Sequence, residues 1–246
     1  MGVTAPPELQ ARLLELAECD LAIQRAAASL RSLPETLHIP TLEAAVEEIK
    51  SRRHDAMIEK ENIQAELTRA ESDVTLVEAR IQKDEERLTH TSSAKDAQGL
   101  EHELESLRKR RSDLEDIELA IMERLEQADS VLTGLIAELA TADEALSEAR
   151  AQFSSHSAAL EGETLSQRAT RDSIVAVLPE DLYALYERQR ERYGVGASHL
   201  RGGVSSASGV ALTESDLQDI RRAAPEEVVM CPDSNAILVR TAESGL

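Results

Sequence analysis

Apolar residues recur in alternating steps of three and four along most of the first 160 residues. The recurrence runs through three stretches, at 9–30, 42–88 and 104–160. A repeat of this period predicts helices whose apolar seam is covered by a partner helix. Pro34 predicts the end of the first helix, because its ring removes a backbone donor and disfavours helix at the residue before it. The polar run at 89–94 predicts a chain reversal.

These signals predict three helices, at about 7–32, 36–89 and 95–172. We expect the second helix to fold back on the third in an antiparallel hairpin, and the distal half of the third helix to reach the first. One chain can then cover its own seam, since the first two helices together are about as long as the third. A parallel homodimer is the alternative, so the sequence leaves monomer and homodimer open.

The composition supports a narrow helical core. Only 2% of the residues are aromatic, none is Trp, and 30% are charged, with a net charge of −20. No apolar run is long enough to span a membrane, and the first residues lack the basic start and apolar stretch of a signal peptide. Two distant cysteines, Cys19 and Cys231, form no disulfide framework. The sequence therefore predicts a soluble, cytoplasmic protein with no membrane partner.

Turn-forming residues concentrate near the end of the chain. Six of the ten glycines lie at or beyond Gly194. We therefore predict a helical coiled-coil hairpin over 1–178 and a linker helix plus a small module over 179–246. In that module Thr213 is a candidate helix N-cap, with Asp216 three residues later. The stretches 228–230 and 237–239 are rich in β-forming residues.

The residues between these two β-rich stretches resemble one half of a zinc-binding site. Cys231-Pro232-Asp233-Ser234-Asn235 has the spacing of a zinc knuckle, with serine at the second cysteine position. The upstream run 205–209, Ser-Ser-Ala-Ser-Gly, has the spacing of a second knuckle with both cysteines replaced. The pairs Ser205/Ser208 and Cys231/Ser234 fit a four-cysteine zinc ribbon. The predicted fold class is mainly α, a long antiparallel coiled-coil hairpin with a small zinc-ribbon-like β-containing module.

The chain as a whole resembles a family of bacterial proteins that combine a long helical hairpin with a C-terminal four-cysteine zinc ribbon. The residues that carry the resemblance lie after the predicted reversal, before the module and within it: Ser93-Ala94-Lys95-Asp96, Leu100-Glu101-His102-Glu103-Leu104, Leu114-Glu115-Asp116, Tyr186-Glu187-Arg188, Arg201-Gly202-Gly203, and Glu227 to Pro232 with Ile237-Leu238. The resemblance implies zinc ligands at residues 205, 208, 231 and 234.

Three of these four positions are serines in this chain. A thiolate binds zinc because it is anionic and soft, whereas a serine hydroxyl stays protonated and hard. We therefore predict no zinc and no other cofactor, and Ser205, Ser208, Cys231 and Ser234 are interpreted as vestigial ligand positions. The module must then be held together by apolar packing, by docking on the tyrosine-containing segment before it, or by a partner.

Nothing in the sequence predicts an enzyme. Five of the six histidines are scattered along the predicted coiled coil and the sixth, His199, lies in the module. No nucleophile elbow or phosphate-binding loop is present. The resembled family acts in chaperone and regulatory roles, including contacts with an alternative sigma factor and with messenger RNA. This implies a non-catalytic adaptor or chaperone-like protein with a protein partner, in a transcription-related setting.

Direct RNA or DNA binding is the alternative function. A basic patch with aromatic stacking residues could form in the module, from Arg188, Arg192, Arg201, Arg221, Arg222, Tyr186 and Tyr193. Residues 180–246 nevertheless carry seven arginines against eleven acidic residues, a net charge of −4. This balance lacks the basic footprint of a nucleic-acid binder, and the adaptor function is favoured.

Overall fold

The structure is a computed structural model and describes residues 2–246. These residues form five α-helices, four short strands and one 3-10 helix. In chain order the elements are α1 (Pro7–Thr36), α2 (Ile39–His90), α3 (Ala94–Val175), α4 (Glu180–Tyr193), β1 (Ala197–Arg201), β2 (Val204–Ser205), α5 (Glu214–Arg222), β3 (Val229–Met230), β4 (Ile237–Val239) and the 3-10 helix Ala242–Ser244. The predicted mainly α fold with a small C-terminal sheet is confirmed. None of the helices within 2–246 has the length and apolarity needed to cross a bilayer.

The end of α1 differs from the prediction. The helix continues through Pro34 to Thr36, although a proline removes one backbone donor. The carbonyl of Leu33 accepts the Leu37 N–H at 3.0 Å, and the Ser32 carbonyl accepts the Thr36 hydroxyl at 2.9 Å. The Leu33 side chain is also buried. These bonds and this burial offset the missing donor, so the last turn is retained.

The chain divides into two compact units. One is His38–Arg150, called here the hairpin unit, and the other combines residues 2–37 with 151–246, called the terminal unit. The sequence-based division at residue 178 placed α1 with the coiled coil. The structure instead groups α1 and the end of α3 with the terminal module, because Leu13 and Leu16 share a core with Ile174 and Ile237.

In the hairpin unit, α2 packs antiparallel on the first part of α3. The apolar contacts form clusters in which Val46 and Ile49 pack with Leu139, and Ile63 packs with Ile121. Ion pairs follow the same order: the α2 residue number rises while the α3 number falls, through Glu43–Arg150 at 2.7 Å, Glu66–Arg124 at 2.8 Å and Glu85–Arg108 at 2.8 Å. The 3.5-residue repeat thus forms the predicted seam within one chain.

In the terminal unit, a four-stranded sheet packs with α1, α4 and the end of α3. The strand order is β2-β1-β4-β3, with β1 parallel to β4 and the other two pairs antiparallel. Leu182, Ile237 and Val239 are fully buried in the shared core. The helix α5 begins at the predicted N-cap, where Thr213 and Asp216 form a reciprocal capping box.

The beginning of the described chain is bonded to the segment before β3. The Ala5 N–H donates to the Glu226 carbonyl at 2.8 Å, and the Val228 N–H donates to the Val3 carbonyl at 3.2 Å. The buried Gln10 amide donates to the Ala5 carbonyl at 2.8 Å and to the Pro225 carbonyl at 3.1 Å. Residues from both ends of the sequence therefore stabilise one unit.

Candidate functional site

Two turns of the terminal unit have the same backbone hydrogen bonds. In the turn after β2, the Ser205 carbonyl accepts the Gly209 N–H at 2.8 Å, and the Ser205 N–H donates to the Val210 carbonyl at 3.2 Å. Gly209 has φ +67°, a left-handed conformation that costs glycine little.

The turn after β3 repeats this arrangement. The Cys231 carbonyl accepts the Asn235 N–H at 3.0 Å, and the Cys231 N–H donates to the Ala236 carbonyl at 2.8 Å. Asn235 has φ +56°, and asparagine is among the non-glycine residues that tolerate this region best. The two sequence runs singled out for their spacing therefore form equivalent turns.

Three of the four predicted ligand positions come together, two of them in the interior and the half-buried Ser234 beside them. The side chains of Ser205 and Cys231 are fully buried. Burial raises the pKa of the Cys231 thiol, but hydrogen bonds from the Ser205 and Ser234 hydroxyls favour the thiolate, and the net effect lowers the pKa. The Ser205 hydroxyl also lies 2.8 Å from the Ser198 hydroxyl. At the fourth position, the Ser208 hydroxyl accepts the Val210 N–H at 3.2 Å.

These side chains do not fit a structural zinc ion. Such a site takes four ligands that are mostly thiolates and imidazoles, whereas these positions supply one thiol and three hydroxyls. Within 2–246, no group of three or more His, Cys, Asp or Glu side chains is placed to hold a metal ion. The zinc that the resemblance implies at these turns is therefore incompatible with the residues present.

A buried ionic network lies beside the turns, where α1, α3 and α4 meet. One oxygen of the Asp20 carboxylate accepts Arg171 Nε at 2.8 Å, and the other accepts the Tyr186 hydroxyl at 2.7 Å. Arg171 also pairs with Glu187, which in turn accepts Arg190 Nη2 at 2.5 Å. Burial and the hydrogen bond to Asp20 both raise the pKa of Tyr186, so its hydroxyl stays protonated. This network was not predicted from the sequence, and its one local signal is the polar residue Asp20 within the apolar stretch 9–30.

The network removes Tyr186 from the candidate binding residues. Its side chain is fully buried and its hydroxyl is bonded to Asp20, so it cannot stack on a base in this structure. Gly196 lies against its ring, and a Cβ added at Gly196 would overlap the ring atoms. Tyr186 is therefore a core residue of the terminal unit.

The other candidate binding residues lie on the surface of three separate elements. On α4, Arg188 and Arg192 are exposed, and the Arg192 guanidinium lies 5.3 Å from the centre of the Tyr193 ring. The remaining arginines pair with acidic side chains. The pairs are Arg201–Glu243 at 2.6 Å, Arg221–Glu214 at 3.2 Å and Arg222–Asp219 at 3.6 Å. The structure therefore balances most of these positive charges locally.

An open recess of about 330 Å³ adjoins the network. One wall is the face of α1 that carries Ala17, Glu18 and Leu21, and the opposite wall is formed by the end of α4 and the start of β1, including Val195. Leu21 and Val195 are exposed apolar side chains at this position, 44% and 36% accessible. The recess was not predicted from the sequence, because its walls come from distant parts of the chain.

Residues 16–194 match the family model described as the CT398-like coiled coil hairpin domain. The chain belongs to this family. The matched region of the CT398-like family ends before β1, so the two turns lie outside it. An uncharacterized protein of Mycobacterium tuberculosis is 34% identical over 239 residues, which cover 94% of this chain and 95% of that protein.

Two solved structures resemble the chain over almost its full length. A Mycobacterium smegmatis structure has a TM-score of 0.85 and 29% sequence identity, covering 97% of this chain and 100% of that one. The structure of CT398 from Chlamydia trachomatis has a TM-score of 0.66 and 18% identity, covering 94% of this chain and 97% of that one. At that identity, the likeness to CT398 shows the fold alone.

Proposed function

We propose that the protein is a non-catalytic adaptor or chaperone-like protein of the cytoplasm. The chain combines a coiled-coil hairpin with a zinc-ribbon-like module that binds no metal, and we call this module the head. The head, together with the α1 wall of the recess, binds a protein partner. The observation that carries the proposal is the recess between α1 and the start of β1, because it leaves Leu21 and Val195 exposed. Pockets with apolar walls and a few convergent polar groups are typical of binding sites.

The buried polar groups beside the recess support a binding role rather than a catalytic one. Asp20, Arg171 and Glu187 are held in mutual ion pairs, and the protonated Tyr186 hydroxyl is committed to Asp20. The thiol of Cys231 is fully buried. A catalytic group must be free to act on the reacting atoms, whereas these charged and hydroxyl groups are engaged with one another and the Cys231 thiol is out of reach.

Capture of partners from native lysate tests the adaptor proposal, with and without nuclease treatment. Leu21→Glu places a charge on the recess wall, and Leu165→Glu is the matched control at an exposed leucine of α3. We expect the native protein and Leu165→Glu to capture the same protein partner whether or not nuclease is added. Leu21→Glu should fail to capture it. Equal capture by both variants would contradict a role for the recess.

Metal analysis tests the metal-free head. We expect purified protein to contain no stoichiometric zinc, and one zinc per chain would overturn this part of the proposal. Because the two turns have equivalent backbone geometry, we expect the combined substitution Ser205→Cys, Ser208→Cys and Ser234→Cys to create a four-thiolate site that takes up one zinc. The same triple change to alanine is the control.

Direct RNA binding is the alternative outcome, and the observation in its favour is the exposure of Arg188 and Arg192 on α4. Four residues apart, they lie on one helix face. A gel-shift titration distinguishes the two functions. Salt-sensitive binding that is lost in the double variant Arg188→Glu/Arg192→Glu would replace the adaptor proposal with RNA binding.

A further inference from the structure

The charges around the recess are unequal. In the adjoining network, Asp20 and Glu187 are balanced by Arg171 and Arg190. Glu18 lies outside this balance, because it lines the recess and has no ion-pair partner among residues 2–246. The local surplus is therefore one carboxylate on the α1 wall.

Apolar groups lie on the same walls. Leu14, Ala17 and Leu21 line the recess from α1, and Val195 lines it from the segment before β1. The long side chains of lysine and arginine bury their methylene stems on apolar surface while their charged ends meet water or a counter-ion. A recess with apolar walls and an unpaired carboxylate complements such a side chain.

We propose that the recess binds a lysine or arginine side chain presented by the protein partner. The stem lies between Leu21 and Val195, and the cationic end pairs with Glu18. This inference rests on the proposed adaptor function and names the chemistry of the partner at the same site. The net charge of −20 favours the approach of a basic partner.

A titration of the ¹⁵N-labelled full chain followed by two-dimensional NMR tests the inference. The probe is Nα-acetyl-arginine methylamide, and the uncharged comparison is Nα-acetyl-leucine methylamide. We expect the arginine probe to shift the amide signals of Ala17, Glu18, Val195 and Ala197, and to bind about fivefold more tightly than the leucine probe.

The variant Glu18→Gln removes the surplus charge, and Glu35→Gln is the matched control on the same helix, away from the recess. We expect Glu18→Gln to weaken binding of the arginine probe about fivefold and to leave binding of the leucine probe unchanged. Glu35→Gln should change neither. Signal changes spread along the acidic helices, or equal binding of both probes, would overturn the inference.

Repeating the lysate capture with Glu18→Gln separates this inference from the proposed function. If the native protein captures a partner that depends on Leu21 but Glu18→Gln captures it equally, the adaptor function stands and the cationic side chain is excluded. If the native protein captures no protein partner, the adaptor function itself fails.

Discussion

The hairpin unit and the terminal unit bury polar and apolar groups in different ways. In the hairpin unit the seam is a repeated set of small apolar clusters, and the ion pairs between α2 and α3 are exposed, as in Glu66–Arg124 with side chains 44% and 49% accessible. In the terminal unit several elements converge on fully buried residues such as Leu13 and Leu238. Stability is therefore distributed along the hairpin and concentrated in the terminal unit, so equivalent substitutions should have unequal effects.

Two substitutions in the terminal unit should have the largest effects, and the first is Asp20→Asn. The substitution removes the charge that Arg171 and the Tyr186 hydroxyl meet inside the protein. Breaking a buried ion pair from one side costs about 3–5 kcal/mol. Chemical denaturation should show this loss in the free energy of unfolding, while the exposed control Asp55→Asn should leave it nearly unchanged. A loss below about 1 kcal/mol would show that this network contributes no more to stability than an exposed ion pair.

Leucine truncation tests the comparison in the apolar cores. Leu238→Ala opens a cavity among fully buried neighbours and should cost about 3–5 kcal/mol. Leu67→Ala, in the thin seam of the hairpin unit, should cost about 2–3 kcal/mol because water reaches its neighbours. The two values come from denaturation curves of single variants. A larger loss for Leu67→Ala would reverse the comparison.

A glycine-to-alanine pair should have opposite signs in the two units. Gly196→Ala drives a methyl group into the Tyr186 ring and should cost about 1–3 kcal/mol. Gly134→Ala, in the interior of α3 with open space around it, should stabilise by about 0.5–1 kcal/mol through its helix propensity. Thermal melts of both variants give the signs directly.

Asp84 is the buried charge of the hairpin unit. Its carboxylate accepts Arg80 at 2.7 Å and Arg87 at 3.0 Å. Burial raises its pKa, the two guanidinium groups lower it, and the net pKa lies below the ordinary value.

The stabilisation from Asp84 is therefore complete above the ordinary carboxyl pKa and is lost as pH falls through the lowered folded-state pKa. We expect the effect to be limited, because Arg80 and Arg87 are about half exposed, 47% and 56%. Thermal melts across the acid range should show a shallower pH slope in Asp84→Asn than in the native protein. An unchanged slope would show that Asp84 contributes nothing.

The smallest effect should come from Glu66→Gln, which removes one exposed ion pair across the hairpin seam. Exposed pairs contribute about 0.2–1 kcal/mol, and the change should shrink further as salt is added. Denaturation at low and high ionic strength measures both quantities. A salt-independent loss would indicate that the pair is shielded from water.

Local sequence signals predicted much of this fold. The heptad positions placed the three long helices, because the repeat depends on residues three and four apart. The polar run at 89–94 indicated the reversal that makes α2 and α3 antiparallel. Thr213 and Asp216 predicted the start of α5 for the same reason. The predicted end of α1 at Pro34 was too early, since burial of Leu33 depends on tertiary packing.

The candidate site was predicted only in part. The two turns followed from their spacing, but Asp20 and Tyr186 are 166 positions apart and no local pattern joins them. Asp20 is a polar residue within the apolar stretch 9–30, but this local feature does not identify its partners. The recess could not be predicted, because Leu21 and Val195 are far apart in the sequence and line one recess only in the folded unit.

The hydrogen bonds that join Ala5 to Glu226 and Gln10 to Pro225 set an order for folding during synthesis. All residues of His38–Arg150 leave the ribosome well before residue 225 is made, so α2 and α3 can pair early. The terminal unit must wait, with Leu13 and Leu16 exposed in α1 until the final strands emerge to cover them. Nascent chains stalled before residue 225 should therefore be the most prone to aggregate.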